Sequence, residues 1–408
     1  GDLAEFVATC FLPWGLFGTL RLARRRAPRD VALAAALGSL PILTHNILGL
    51  FTGGMLVVAA GAAAAASGSK LRTAVAAACG GAGMLALSAF FWFPALYERR
   101  WVRIDAMTEG IYDVRRNFLS VGDLFAAPAL PGIGQQLPMS FELGWPAVAG
   151  LLFLPFALRE ARGMRGALLA TGAVAVALGL LLATPAGAPI YDAVPLLRFV
   201  QFPWRFLALV CVGLAVLGGA GFGAFLERRP PRARFALACL ATISAPAAAL
   251  PLLGPKPNGE IPPWSIDPVE LARGRQTTTG VGEYQPVWAG EAPPARAFER
   301  GIRAPQGVRI EGEGRGVGRY DFVAESPDSA TLLLRDVYYP GWTAEIDGRP
   351  AAVRPHAESG QLELDVGPGR REVRVRLEAA PPRRAARLVS AAAVAAALLT
   401  LAWPIRRA

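Results

Sequence analysis

The 408 residues are 53% hydrophobic, with a mean hydropathy of +0.37 and a net charge of +11. Apolar residues gather in runs of roughly 16–23, close to the ~20 that a bilayer core requires, which excludes an ordinary soluble domain. Residues 253–382 hold 16 basic against 19 acidic side chains, so the positive surplus lies in the apolar part, where it argues for membrane topology rather than nucleic-acid binding.

Taken in chain order, the runs predict nine transmembrane spans, at 4–20, 31–49, 51–66, 72–95, 145–158, 166–184, 204–226, 235–252 and 386–403. The run at 145–158 is short. The chain starts at Gly1 and enters a span directly, so a longer protein with a missing N-terminal part is expected. Arginine clusters at 21–29 ("RLARRRAPR"), 159–165 ("REARGMR") and 228–234 ("RRPPRAR"), with Lys70/Arg72 and Arg406/Arg407, fall on every second loop. The positive-inside rule then puts these loops in the cytoplasm and 97–143, 185–203 and 253–385 outside. Arg383, Arg384 and Arg387 run against that rule locally. Cys10, Cys79, Cys211 and Cys239 all fall within the apolar runs, as small packing residues with no disulfide framework.

The first loop, 97–143, mixes charges with Trp101, Ile104, Ile111 and Phe118, and part of it is expected to lie on the membrane surface as an amphipathic helix. "GPKPNGEIPPWSIDP" opens a Pro/Gly linker. Beyond it come short period-two runs: "GVRIEGEG", "RYDFVAES", "SATLLLRDVYY", "WTAEIDG", "QLELDVG" and "REVRVRLEA". These predict an antiparallel β-sandwich of about 100 residues, with hairpin turns at "DG" (347–348) and "GPG" (367–369). The expected fold is thus a polytopic α-helical membrane protein with a C-terminal extracytoplasmic antiparallel β-sandwich. Its parts are 1–252, 253–385 and a final helix with a cytoplasmic tail, 386–408.

Polar groups in or beside the membrane are costly, and they supply the candidate binding residues. His45 and Asn46, in "PILTHNIL", fall in the outer half of a span. They serve either as a helix–helix hydrogen bond relieving Pro41 or as a ligand contact. Glu98, Arg99 and Arg100 follow the aromatic end of another span, as snorkelling belt charges or as a site for an anionic group. "FVQFPWRFL" (199–207) places Arg205 in the first turn of the span 204–226, beside Gln201 and Trp204. The helix dipole disfavours a cation there by ~0.3–1 kcal/mol, whereas a guanidinium beside free helix N–H groups makes a phosphate or carboxylate site. Acidic candidates on the outer side are Glu98, Asp105, Glu109, Asp113, Asp123, Asp192 and Glu283. With two histidines, His45 and His356, and no cysteine beside either, a zinc site or Cys–His pair is disfavoured, and no nucleotide-binding loop follows a strand. No catalytic residue, metal or cofactor is identified, and nothing in these residues supports a divalent ion.

"LTHNIL", "FFWFPALYER", "NFLSVGDLF" and "VPLLRFVQFPWRFLAL", in this order relative to the spans, resemble the bacterial 6-pyruvoyl-tetrahydropterin-synthase-related membrane family, close to YfhO-type proteins. "DVYYPGWTAEIDGRPAAV" resembles the start of the C-terminal β-domain of the latter. The resemblance implies no synthase activity, since the soluble synthase's zinc-binding histidine cluster has no counterpart here. It implies a GT-C-like glycosyltransferase of the bacterial inner membrane, taking a sugar from a polyprenyl phosphate to a glycan or lipid acceptor of the cell envelope. In that superfamily an Asp or Glu after the first transmembrane helix acts as base or metal ligand, and this chain is expected to begin after it. On that reading Arg205 clamps the phosphate, with Arg99 and Arg100 in reserve. Gln201, His45 and Asn46 contact sugar or phosphate, and Trp204 forms a wall. The rival is a non-catalytic membrane module presenting a sugar-binding sandwich, with "YYPGW" (338–342) as a stacking surface or as core plus a turn. A transporter is weaker, because no inverted repeat and no mid-membrane charge is seen.

Overall fold

The computed structural model describes residues 3–125, 141, 143–249, 284–289 and 301–402. The linker at 254–268, Glu283 and the tail arginines Arg406 and Arg407 lie outside the described residues. Chain contacts divide the protein into two units. A helical unit is drawn from Gly1–Trp92, Thr108–Gly259 and Arg387–Ala408, and a β-rich unit from Phe93–Met107 and Glu260–Ala386.

The helices in chain order are α1 (Leu3–Arg25), α2 (Pro28–Thr44), α3 (Asn46–Ala65), α4 (Lys70–Leu87), α5 (Ala89–Glu98), α6 (Val121–Phe125), α7 (Trp145–Gly150), α8 (Leu154–Leu158), α9 (Gly163–Ala183), α10 (Ala188–Ala193), α11 (Leu207–Glu227), α12 (Pro231–Ala249) and α13 (Pro381–Ala402). Among the described residues five helices are long and apolar enough to cross a membrane: α1, α3, α9, the stretch Pro203–Glu227 containing α11, and α13. The number is six if α4 and the segment 89–101, bent by 72°, form one span.

Nine spans are therefore too many, and each shortfall has a local cause. His45 is extended (φ −154°, ψ 120°), so the run 31–49 ends early, and the 17 residues of α2 rise only about 25 Å against a ~30 Å bilayer core. The run 145–158 breaks into α7, a 3-10 turn and α8, and even unbroken it would rise only about 21 Å. Helix α12 starts on Arg232 and Arg234, which shorten its apolar part. The 72° bend falls at buried Ser88, whose Oγ donates to the Met84 carbonyl at 2.8 Å, a back-bond that bends helices. Over 99–116 of the first loop the expected amphipathic helix is instead a series of 3-10 turns at 99–101, 104–108, 110–112 and 114–116, and 126–140 lies outside the described residues. Gly110 at φ +61° and the extended Asp113 interrupt it.

Within the helical unit the loops gather at two ends. At one, Arg21 pairs with Asp30 at 2.6 Å. At that end Arg228 also reaches Glu160 at 3.5 Å while Arg165 reaches Glu227 at 3.1 Å, tying the α8–α9 loop to the end of α11. At the other, the Leu119 N–H donates to the Ala183 carbonyl at 2.9 Å and Arg115 pairs with Asp192 at 2.6 Å. The turns that carry Arg21, Arg165 and Arg228 thus lie at one end of the helical unit, and the segments that carry Arg115, Leu119 and Asp192 at the other. Phe6, Trp14 and Phe17 stand exposed on α1 while Leu12 and Leu16 are buried, the division expected of a lipid-facing helix.

Helices α9 and α11 meet through small residues, as membrane helices do. A Cβ on Gly213 would stand 2.7 Å from the Gly172 carbonyl oxygen and 2.8 Å from Val176. Gly213→Val is therefore expected to destabilise the helical unit by about 1–3 kcal/mol through overpacking, read as a lowered midpoint in detergent thermal unfolding. Gly219→Val, where a Cβ meets nothing within 4 Å, is the matched control.

The β-rich unit holds two antiparallel sheets. One has the order β1-β4-β8-β7 and the other β2-β3-β9-β5-β6. The strands are β1 (Ile302–Arg303), β2 (Arg309–Gly316), β3 (Arg319–Ser326), β4 (Ala330–Val337), β5 (Trp342–Ile346), β6 (Arg349–Ala351), β7 (Val353–Pro355), β8 (Gln361–Val366) and β9 (Gly369–Leu377). Leu332, Leu334, Leu362 and Leu364 of the first sheet and Tyr320, Phe322, Val373 and Val375 of the second form one buried core. Period-two alternation puts these side chains on facing surfaces. Asp347 (φ 52°) and Gly348 (φ 74°) make the expected two-residue turn, with Ile346 opposite Arg349. "GPG" is not a hairpin turn, because β8 and β9 belong to different sheets and 367–369 crosses between them. Tyr338 and Trp342 of "YYPGW" pack against the core.

Candidate functional site

Arg205 lies in a 3-10 turn, Pro203–Phe206, just before α11, rather than in the first turn of an α-helix. A second 3-10 turn, Pro195–Val200, precedes it, and each opens on a proline that needs no N–H partner. Gln201 joins them at φ +64°, ψ −51°, with the Phe202 N–H donating to the Val200 carbonyl at 2.7 Å. This is a γ-turn of the rare, strained, positive-φ kind, and such backbone costs of order 1–3 kcal/mol unless its surroundings enforce it.

Arg205 and Asn117 supply that enforcement. Arg205 Nη1 donates to the Val200 carbonyl at 2.8 Å and to Gln201 Oε1 at 3.1 Å. Its Nε donates to Glu5 Oε2 at 3.2 Å, and the two side chains are only 10% and 12% exposed. Asn117 Nδ2 donates to the carbonyls of Ile111 and Asp113 at 2.9 Å and reaches that of Gln201 at 3.5 Å. The guanidinium also lies over the rings of Phe202 and Trp204, 5.1 and 5.7 Å from their centroids. Tyr112 packs edge-on against Phe202 and Phe141 against Trp204. Arg205, Gln201 and Trp204 are thus one constellation, and Arg205 Nη2 has no protein acceptor among the described residues.

Sequence reasoning missed Glu5 and Asn117. Glu5 had a signal, since an acid in the first turn of an apolar run falls on the side assigned to the 185–203 loop. The remaining expected residues serve elsewhere. His45 caps α3, its Nδ1 accepting from the Leu48 N–H at 3.3 Å, and Asn46 Oδ1 accepts from the Ile47 N–H at 2.9 Å. Asp192 holds Arg115 at 2.6 Å and Arg198 at 3.7 Å, while Asp123 holds Ser120.

Glu98, Arg99 and Arg100 belong to the β-rich unit. Glu98 is 7% exposed. Arg383 Nε donates to its Oε1 at 2.5 Å, Arg383 Nη2 donates to its Oε2, and the Tyr339 hydroxyl donates to Oε2 at 2.6 Å. Burial first, and then the hydrogen bond to the carboxylate, hold the Tyr339 hydroxyl well above the usual tyrosine range. Arg100 lies 4.1 Å from the Tyr97 ring centroid and 5.2 Å from that of Trp101, and Arg99 is exposed. Around them the Arg103 N–H donates to the Gln285 carbonyl at 3.1 Å, and the Val287 N–H to that of Trp101 at 2.9 Å. Glu98 is therefore a structural anchor, and Arg383, the anomaly of the arginine distribution, is its counter-ion.

No group of three potential metal ligands occurs among the described residues. A family model described as "6-pyruvoyl-tetrahydropterin synthase related domain; membrane protein" matches residues 1–250, and a YfhO-type relationship is consistent with it. No curated protein matches the chain, and no solved structure does.

Proposed function

The chain belongs to the 6-pyruvoyl-tetrahydropterin synthase related family of membrane proteins, and from that premise we propose that it is part of a GT-C-like membrane glycosyltransferase. On this reading it moves a sugar from a polyprenyl-phosphate donor to a glycan or lipid acceptor of the cell envelope. Residues 1–252 form the transmembrane part in the bacterial inner membrane, and 253–385 an extracytoplasmic β-domain. Residues 386–408 are the returning helix and cytoplasmic tail.

The observation that supports this most is the Nη2 of Arg205, which has no acceptor among the described residues. Three bonds fix the guanidinium in place, and the remaining nitrogen offers N–H donors to an anionic oxygen. A cation preorganised on the leaving phosphate is what such a displacement needs, and its loss costs on the order of 100-fold or more in rate. Trp204 and Phe202 supply an apolar wall for a polyprenyl chain or a sugar face.

In membranes supplied with a labelled polyprenyl-phosphate sugar, Arg205→Lys is expected to keep the charge but lose the fork geometry, lowering transfer by about 100-fold. Transfer unchanged in Arg205→Lys and in Arg205→Ala removes the residue from the chemistry. One observation favours the rival, a non-catalytic membrane module: Glu5 already balances the charge of Arg205. An absence of transfer by the unaltered protein with any polyprenyl-phosphate sugar supports that second reading.

A further inference from the structure

Helices α2, α4 and α13 of the helical unit enclose an open groove of about 940 Å³. Small side chains make it: Ala32 and Ala35 on α2, Ala76 and Gly83 on α4, Ala393 and Ala396 on α13. Only 11% of the apolar window of α13 is buried, so this helix turns most of its surface outward. From Arg72 to Leu87, both in the lining, the α4 wall rises about 22 Å, longer than one leaflet of a ~30 Å hydrocarbon core.

One end of this apolar groove carries two arginines, Arg26 and Arg72. Neither guanidinium has an acceptor among the described residues. Arg21 is bound to Asp30, and Arg165 and Arg228 to Glu160, while Arg24 and Arg25, which also lack a side-chain acceptor among the described residues, are not part of the groove lining. Arg26 is also held in the left-handed region, φ 57°, at the junction of α1 and α2.

We propose that the groove binds an anionic phospholipid of the surrounding bilayer, one acyl chain lying between α2, α4 and α13 and the phosphodiester on Arg26 and Arg72. Two unpaired cations at the mouth of an apolar channel complement an amphiphile with a negative head. A basic pocket between membrane helices is a known form of headgroup site. A second copy of the chain seated on this face would bring its own Arg26 and Arg72 to the same end, a like-charge juxtaposition that opposes it.

The test uses the delipidated protein in detergent, titrated with phosphatidylglycerol or phosphatidylcholine of matched chains, with native mass spectrometry and thermal unfolding as readouts. Phosphatidylglycerol is expected to be retained and to raise the midpoint. Arg26→Asn with Arg72→Ala is expected to weaken it roughly thirty-fold, asparagine being chosen because it tolerates the left-handed backbone. Ala396→Trp, which fills the groove without touching the charges, is expected to weaken it as well. Arg24→Ala with Arg25→Ala removes the same charge from the same cluster and is expected to change binding less than twofold.

Equal retention of both lipids overturns the proposal, as does equal sensitivity to the two arginine pairs. So does a lipid-free dimer abolished by Ala396→Trp. None of these outcomes bears on Arg205 and transfer.

Discussion

Arg383→Ala is expected to destabilise the β-rich unit by about 3 kcal/mol, and Glu98→Ala by clearly less. The asymmetry follows from what each substitution leaves behind. Without Arg383, the Glu98 carboxylate, 9% exposed, loses both guanidinium bonds and, among the described residues, keeps the Tyr339 hydroxyl. Without Glu98, the Arg383 side chain is already 39% exposed and reaches water. Stranding one partner of a fully buried pair costs about 3–5 kcal/mol, and the partial exposure of Arg383 puts this pair at the low end. Hydrogen–deuterium exchange of the segment 93–107 and of β9 reads both effects in the intact protein. Equal exchange in the two variants, or faster exchange in Glu98→Ala, would show that the carboxylate is not anchored by this pair.

The second large effect concerns Arg205. Arg205→Met is expected to destabilise the helical unit by about 2–3 kcal/mol, because the buried Glu5 carboxylate loses the guanidinium bond and the strained turn at Gln201 loses two of its supports. Adding Glu5→Gln should recover part of that loss, with a coupling of at least about 1 kcal/mol in the double-mutant cycle. Thermal unfolding in detergent measures the cycle. Transfer activity then separates the two roles of the arginine. The double variant is expected to regain stability and not transfer. Recovery of both would mean that Arg205 only holds the fold.

The apolar helices and the strands were legible because burial imposes a period or a length on neighbouring residues. "RYDFVAES" and "QLELDVG" could be read as strands from alternation alone, and both lie in the core with that alternation kept, apart from the buried Gln361. Hydropathy says nothing of where a helix breaks, however. His45 in extended backbone, the split at 145–158 and the Ser88 bend all fall inside runs that look continuous, and so the spans were overcounted. The crossing at 367–369 was misread for a related reason, since a turn signal does not say whether the next strand stays in the same sheet.

The site was legible by residue type but not by pairing. Gln201, Trp204 and Arg205 are adjacent in sequence and proved adjacent in space. Glu5 lies 200 positions from Arg205, beyond anything local spacing encodes. The γ-turn at Gln201 has no signature either, because no propensity favours glutamine at positive φ. Glu98 and Arg383 left a usable trace. Arg383 was a charge out of place, Glu98 was an acid assigned to the same side of the membrane, and the two are opposite in sign.

The Glu98–Arg383 pair closes a loop of 285 residues, and this dictates an order of events on the ribosome. At about 5–20 residues per second, Arg383 emerges some 15–60 s after Glu98. Within that interval the 285–289 segment reaches Trp101 first and Tyr339 follows, while Glu98 waits to the end for Arg383. A nascent chain stalled before position 383 would therefore leave the buried Glu98 without its guanidinium, and release past that point would complete the pair.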